Sequence, residues 1–226
     1  MSRWHRKACF AMLAVSASNL HAVDKSPPPT SGMPASPTVD DGSSARLYRS
    51  GLAGAQALAE LKGWVLAGSA PQDYHVGYDG NSGVFSKISA RLSLKPDAKG
   101  DGFGTVMQTI SAENYRGKRL RFSALLRPRG VDSGAGLWFR VDAADGRVLA
   151  FDNMQSRPVL GTQNWNRYNV VLEVPEGGQR LAYGVLLIGK GTVGIDELQF
   201  DVVGNDVATT DMMTLPKAPV NLELKH

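Results

Sequence analysis

The chain has 226 residues, of which 42% are hydrophobic and 20% are charged, a composition typical of a globular protein that buries a core without disulfides. Its single cysteine excludes a disulfide framework and a cysteine-based zinc site. The formal charge of +4 favours an anionic partner only if that charge belongs to the folded domain.

The N-terminus has the order of segments that is typical of an export signal. Four basic residues come first: Arg3, His5, Arg6 and Lys7. An apolar stretch over residues 8–17 follows, and it is too short to span a bilayer. We therefore expect a signal peptide over residues 1–22, cleaved after Ala22, and a periplasmic or secreted protein. Cleavage after Ala17 or Ser18 is an alternative. A buried N-terminal helix is the alternative.

Cleavage at this position changes what the composition implies. It removes Cys9 and three of the 25 Lys and Arg residues, and the remainder are nearly balanced by the 21 Asp and Glu residues. We therefore expect no nucleic-acid partner.

The next segments differ in composition from the rest of the chain. Residues 23–50 are rich in Pro, Ser, Thr, Asp and Gly, which predicts a disordered linker. Residues 52–62 are rich in Ala and Leu and are compatible with one short helix.

Segments further along alternate apolar and polar residues with the period of two that indicates half-buried strands. In residues 119–127, one face carries four apolar residues: Leu120, Phe122, Ala124 and Leu126. Residues 137–142 alternate between an apolar and a polar face: Leu137, Phe139 and Val141 against Trp138, Arg140 and Asp142. Residues 167–174 alternate in the same way, and residues 181–188 are apolar on both faces, which predicts a central strand.

Turn signals rich in Gly, Asp and Asn separate these segments. About eight to ten short strands without alternating helices predict an all-β domain of the sandwich class over residues 51–203. Residues 204–226 lose the alternation and predict an extended C-terminal tail, either loose or lying on the sandwich as an arm. We expect no transmembrane segment.

Several motifs resemble known β domains. Gly63-Trp64 near the start, and the closing run Ile195-Asp196-Glu197-Leu198, resemble galactose-binding-like jelly rolls of the carbohydrate-binding-module type. The resemblance covers residues 63–203 and implies a jelly-roll β-sandwich with a saccharide ligand. The middle of the chain, around Gly136 and Phe151, is similar to a group of uncharacterised bacterial domains, some attached to helix-turn-helix regulators.

The polar face of residues 137–142 offers a first candidate binding surface. Trp138 would stack on a sugar ring while Arg140 and Asp142 hydrogen-bond its hydroxyls. The alternative is a structural Arg–Asp pair beside a partly buried Trp.

A second candidate is the following loop, which carries Asp152, Asn153 and Arg157. Loops often hold recognition residues, and Arg157 would bind a carboxylate or pair with Asp152. The alternative is a loop folded on its own hydrogen bonds. We expect Trp165 to pack on the core or an edge, and the alternative is stacking on a ligand.

A basic stripe precedes these segments. It comprises Arg116, Lys118, Arg119, Arg121, Arg127 and Arg129. It would attract an anionic envelope ligand, and the alternative, which we favour, is a solvated face balanced by acids on neighbouring strands.

The sequence offers little for catalysis. After cleavage only His75 and His226 remain for a Ser/His/Asp relay, and there is no pair of His residues at metal spacing. Asp142 and Asp152 are a conceivable carboxylate pair. We expect no catalytic residue, no metal ligand and no cofactor, apart from a structural Ca²⁺ that cannot be assigned. Its conceivable ligands are Asp79, Asp196 and Asp201.

These observations favour an exported, non-catalytic module that binds a saccharide or a similar polar envelope ligand. A protein–protein interaction or structural envelope domain is the first alternative, and a carboxylate-based, glycan-active enzyme is the second.

Overall fold

In a computed structural model, residues 62–80 and 88–213 are described, and they form eleven strands in two antiparallel sheets. The strands are β1 (Val65–Gly68), β2 (Tyr74–Gly80), β3 (Ile88–Leu94), β4 (Phe103–Ser111), β5 (Arg119–Arg129), β6 (Val131–Ala143), β7 (Val148–Asp152), β8 (Val159–Gly161), β9 (Asn166–Glu173), β10 (Gly178–Ile188) and β11 (Thr192–Val203). Two single 3₁₀ turns, Pro71–Asp73 and Glu113–Tyr115, connect them. The predicted signal peptide, the linker, all but the last residue of the predicted helix, and residues 214–226 lie outside this description.

The order of the strands confirms the predicted jelly-roll β-sandwich. The six-stranded sheet has the order β1-β4-β10-β6-β7, with β8 also paired to β6, and the five-stranded sheet has the order β2-β3-β11-β5-β9. From β3 to β6 and again from β8 to β11 the chain passes back and forth between the sheets, while β6, β7 and β8 follow one another in the six-stranded sheet. The last two strands insert between earlier ones, β10 between β4 and β6, and β11 between β3 and β5. This is the connectivity of a jelly roll.

The core lies between the two sheets, and the alternation in β5 predicts its contribution correctly. The four apolar residues of that face are at most 1% exposed. Aromatic side chains from both sheets meet at the centre: Tyr183 stacks on Phe200 with ring centroids 4.7 Å apart, and Phe122 and Phe139 pack around them. Aromatic pairs of this kind stabilise a core beyond the area they bury.

Strand β6 differs from the half-buried strand that its alternation predicts. Its polar face is buried as completely as its apolar face, with Trp138, Arg140 and Asp142 each at most 5% exposed. The reason is tertiary, because side chains of β4, β7 and β10 pack around Trp138 on this outer face. Its outward-facing indole belongs to a second apolar cluster, made of Phe103, Met107, Trp138, Phe151, Ala182 and Leu186.

The first part of the predicted C-terminal tail lies on the sandwich. The Thr210 backbone N–H donates to the Val171 carbonyl on β9 at 2.8 Å, and the Met212 N–H donates to the Phe151 carbonyl on β7 at 2.9 Å. The Phe151 N–H in turn donates to Asp211 Oδ1 at 3.1 Å. Residues 204–213 therefore cross from the edge of one sheet to the edge of the other, as an arm. Within the described part of the chain, no helix has the length and apolar character needed to cross a membrane.

Gly184 in β10 is a position where the sheet tolerates no side chain. A Cβ there would lie 2.2 Å from the Val106 carbonyl oxygen and 2.9 Å from Met107 Cα, both on the neighbouring strand β4. Since backbone cannot move aside cheaply, we expect Gly184→Ala to destabilise the domain by about 3 kcal/mol. The melting temperature followed by circular dichroism should then fall by roughly 6–12 °C.

Gly177→Ala is the matched control, because its Cβ would make only an ordinary contact of 3.8 Å with Leu149. It should shift the melting temperature by less than about 2 °C. Equal shifts for both variants would contradict this account of β10.

Candidate ligand-binding surfaces

The six residues predicted from sequence to bind ligand lie in two separate places. Arg140 is opposite Phe151 in the β6–β7 register, so both point to the outer face of the six-stranded sheet, away from the core. Asp152 is opposite Phe139, a core residue, and therefore points to the inner side. The structure thus does not bring the two groups together into one site.

Trp138 packs on the outer face of the six-stranded sheet. It is opposite Gly184 on β10, and its indole Nε1–H donates to Thr105 Oγ1 on β4 at 2.7 Å. The indole therefore crosses β10 where Gly184 leaves room. The Thr105 hydroxyl donates to the Val185 carbonyl at 2.9 Å, which completes a buried chain of hydrogen bonds. With 2% of its surface exposed, Trp138 fills the outer face and presents no platform for a sugar ring.

Arg140 and Asp142 pair with each other beside this indole. Arg140 Nε lies 2.9 Å from Asp142 Oδ1, and Nη2 donates to Oδ2 at 3.0 Å. Both side chains are 6% exposed, so the pair is a buried two-point ion pair. This is the arrangement of the structural alternative considered for these residues.

Asp152 and Arg157 form a clamp at the edge of the sandwich. Asp152 is fully buried, and its Oδ1 accepts the Met154 N–H at 2.8 Å. Arg157 donates to both carboxylate oxygens, at 3.3 Å and 2.5 Å, and its Nη2 also donates to the Asn169 carbonyl on β9 at 3.3 Å. The guanidinium therefore ties β7 of one sheet to β9 of the other. The Asn153 side-chain oxygen accepts the Gln155 N–H at 3.2 Å, so the loop is folded on its own hydrogen bonds.

Three arginines of the basic stripe on β5 are balanced by acids on other strands. Arg121 pairs with Asp201 at 3.2 Å and Arg127 with Asp79 at 3.3 Å, while Arg119 pairs with Glu173. These contacts match the balanced, solvated face that the sequence favours. Exposed pairs of this kind contribute little to stability, but they neutralise these three arginines. Arg116, Lys118 and Arg129 are in no ion pair among the described residues.

The groups considered for catalysis do not assemble. Asp142 and Asp152 point to opposite sides of the six-stranded sheet, so they are not the facing pair that a glycosidase mechanism needs. His75 Nδ1 lies 3.2 Å from Ser93 Oγ, but the charged groups that act on its ring are the cations Arg91 and Lys95 and not an acid. Burial lowers the pKa of His75, and the positive charges of Arg91 and Lys95 lower it further.

The residues considered for Ca²⁺ have other partners. Asp79 and Asp201 pair with arginines, and Asp196 Oδ1 accepts the Glu197 N–H at 2.9 Å. Within residues 62–80 and 88–213, no three His, Cys, Asp or Glu side chains are grouped closely enough to hold a metal ion.

A surface that the sequence analysis missed lies on the outer face of the five-stranded sheet. Gly77, Arg91, Gly194 and Arg127 are in register across β2, β3, β11 and β5, and we call these four residues the glycine row. A planar group packs over each of the two glycines. Arg91 Nε lies 3.3 Å from the position that a Cβ on Gly77 would take, and the Trp165 ring lies 2.9 Å from the same position on Gly194.

The Trp165 ring also contacts a guanidinium. The Arg127 guanidinium is 4.8 Å from the centroid of the Trp165 ring, a cation–π contact. Arg91, Arg127 and Trp165 are all partly exposed. Arg91 Nε, like Arg119 Nε, is buried without a hydrogen-bond partner among the described residues, which costs about 1–3 kcal/mol. The only feature of the sequence that could have predicted this row is the presence of glycines within predicted strands.

Comparison with known proteins gives one relative by sequence. The chain is 41% identical over 170 residues to an uncharacterised helix-turn-helix-type transcriptional regulator, YbfP, of Bacillus subtilis. The match takes in 74% of this chain but only 58% of the regulator's length. It agrees with the resemblance to bacterial domains attached to such regulators. No family model matches the chain.

Solved structures similar to this chain include carbohydrate-binding modules. The C-terminal family 22 module of Clostridium thermocellum Xyn10B has a TM-score of 0.46 and 14% identity, over 66% of this chain and 90% of that one. The CBM22-1 xylan-binding domain of Paenibacillus barcinonensis Xyn10C has a TM-score of 0.42 and 17% identity, over 63% and 86%. The enzymatically active domain of tailspike protein 4 of bacteriophage CBA120 has a TM-score of 0.47 and 17% identity, over 66% and 21%. At these identities the likeness concerns the fold.

The clamp geometry predicts a stability defect when its cation is removed. Arg157→Gln leaves the buried Asp152 carboxylate without a charged partner and releases β9 from β7. Because Arg157 is 38% exposed and water replaces part of the lost contact, we expect a loss of about 2 kcal/mol in the free energy of unfolding, measured by urea denaturation.

Arg147→Gln is the control, since the Arg147–Asp145 pair is largely exposed and should contribute nothing measurable. An Arg157→Gln variant as stable as this control would show that the clamp is dispensable.

Proposed function

We propose that this protein is an exported, non-catalytic recognition module that binds a saccharide or a similar polar ligand over the glycine row. One observation carries the proposal. Planar groups that can form hydrogen bonds are partly exposed on the outer face of the five-stranded sheet, at Arg91, Arg127 and Trp165. The tryptophan and the carboxylates first considered as ligand contacts are buried and paired within the protein.

The chemistry of this surface suits a sugar. A sugar ring presents apolar C–H faces and a rim of hydroxyls, and it is bound by an aromatic side chain together with a few oriented polar groups. Gly77 and Gly194 are two strands apart, about 10 Å at the usual strand spacing, so the row has the span of a small saccharide. Arg127 is held by Asp79 and by the Trp165 ring, which limits the entropy lost on binding.

The relative supports recognition as the role of this module. The regulator carries a helix-turn-helix by name, whereas the described residues of this chain are strands and short turns. A match of 170 residues must include much of the β-sandwich, and this shared part would sense a signal by binding it. Nothing in that role requires catalysis.

The binding proposal is tested by isothermal titration calorimetry of the purified protein against a panel of neutral and acidic oligosaccharides. We expect at least one to bind, and Trp165→Ala to weaken its affinity about tenfold because the planar surface loses its aromatic group. Leu198→Ala, at an exposed position of β11 outside the glycine row, is the matched control and should bind as the wild type does. A folded protein that binds no saccharide, or an equal loss in both variants, would refute the proposal.

The export proposal has its own test. Expression of the full chain in a Gram-negative host, followed by N-terminal sequencing, should give a periplasmic protein that begins at Val23, because the small residue Ala22 precedes it. A replacement of Arg3, Arg6 and Lys7 by glutamate should retain the protein in the cytoplasm. A chain recovered intact from Met1 would contradict export.

A further inference from the structure

The positive charge on the outer face of the five-stranded sheet is only partly balanced. The arginines of β5 at positions 119, 121 and 127 are each paired with an acid. None of the ion pairs among the described residues involves Arg91 on β3 or Arg129 on β5, which lie on the same face. Arg129 is exposed at the end of its strand, whereas Arg91 is partly buried within an interior strand of the sheet. The guanidinium of Arg91 is thus a partly buried cation that has no ion-pair partner among the described residues.

The side chain of Arg91 is held down on the sheet instead of extending into water. Its Nε and Nη2 lie 3.3 and 3.7 Å from the position that a Cβ on Gly77 would take, and His75 Nε2 lies 3.8 Å from the same position. The guanidinium and the imidazole nitrogen therefore both border the space over Gly77, which has no side chain to fill it. Ser93 Oγ, 3.2 Å from His75 Nδ1, fixes the orientation of the ring.

The surroundings favour a negative ligand. His75 is flanked by Arg91 and by Lys95, and both charges disfavour its protonated form. Lys95 Nζ is tied to the Gln72 carbonyl at 2.7 Å, so it stays near the same end of β3. A neutral hydroxyl would satisfy hydrogen bonds here but would leave the charge uncompensated. A carboxylate would accept two parallel N–H bonds from the guanidinium fork and neutralise it.

We propose that Arg91 and His75, together over Gly77, bind a carboxylate group, so that the ligand of this module is an acidic saccharide of the uronic acid type. The inference rests on the proposed saccharide-binding function and specifies the ligand for it. The carboxylate lies over Gly77, and the sugar rings extend along the glycine row toward Gly194 and Trp165.

The first experiment compares ligands that differ only in charge. Calorimetry with an oligogalacturonate and with the neutral galactose oligomer of the same length should give tighter binding of the acidic ligand by about tenfold, and this preference should shrink at high salt. In Arg91→Gln the preference should disappear. Arg121→Gln, which removes a paired arginine from the same face, is the control and should keep it.

A second variant tests the geometry without changing the charge. The methyl group of Gly77→Ala would lie within 3.3 Å of Arg91 Nε and displace the guanidinium, so the same preference should be lost. Equal binding of both oligomers by the wild type would overturn the acidic-ligand inference and leave the saccharide proposal intact.

A third measurement separates failure of the site from failure of the saccharide proposal. The ring resonances of His75 are followed by NMR during titration with glucuronate, glucose and inorganic phosphate. Shifts with glucuronate alone, absent in Arg91→Gln, support the carboxylate site even if no oligosaccharide binds. Shifts of equal size with phosphate would overturn the carboxylate assignment in favour of a general anion site, and no shift with any of them would overturn the site itself.

Discussion

The contact between Tyr183 and Phe200 sets the geometry on which the rest of the sandwich depends. Tyr183 comes from β10 of the six-stranded sheet and Phe200 from β11 of the five-stranded sheet, and each of these strands lies inside its own sheet. Phe122 and Phe139 pack against the pair from the neighbouring strands. Because β10 and β11 are inserted between earlier strands, this aromatic cluster joins the first and last parts of the domain. It holds the two sheets face to face. Other residues must close the gap between the edges of the sheets.

The polar residues that are most prominent in the sequence help to close these edges. At the open side between β7 and β9, Arg157 joins Asp152 to the Asn169 carbonyl, and residues 204–213 cross the same gap through backbone hydrogen bonds. On the outer face of the six-stranded sheet, the Arg140–Asp142 pair lies beside the indole of Trp138. A buried charge is tolerated only when it is paired, and these arginines and aspartates pair with one another. Because their charged groups are already paired, they are poor candidates for contacting a ligand.

The outer face of the five-stranded sheet has the opposite character. Its charges are mostly balanced in exposed pairs, its glycines leave room for flat groups, and Arg91, which has no ion pair among the described residues, borders the same space over Gly77 as His75. The domain therefore has one face occupied by its own packing and another that offers planar and polar groups to solvent. A recognition module requires such an asymmetry, because the binding face must stay soluble without a ligand while the rest of the fold holds it rigid.

The sequence by itself determined the class of fold and the inner face of its strands. The alternation over residues 119–127 identified the core side of β5 correctly, because the side-chain direction in a strand is a local property with a period of two. The same rule separated the two faces of β6 but did not reveal that both are buried, since burial of Trp138 depends on Thr105 and Gly184 in strands far along the chain. From the sequence, only some of the charged residues could be assigned correctly to ion pairs. The glycine row was decided by tertiary structure alone, because Gly77, Arg91, Arg127 and Gly194 become neighbours only through the register of four strands, and register is set by packing over the whole sheet.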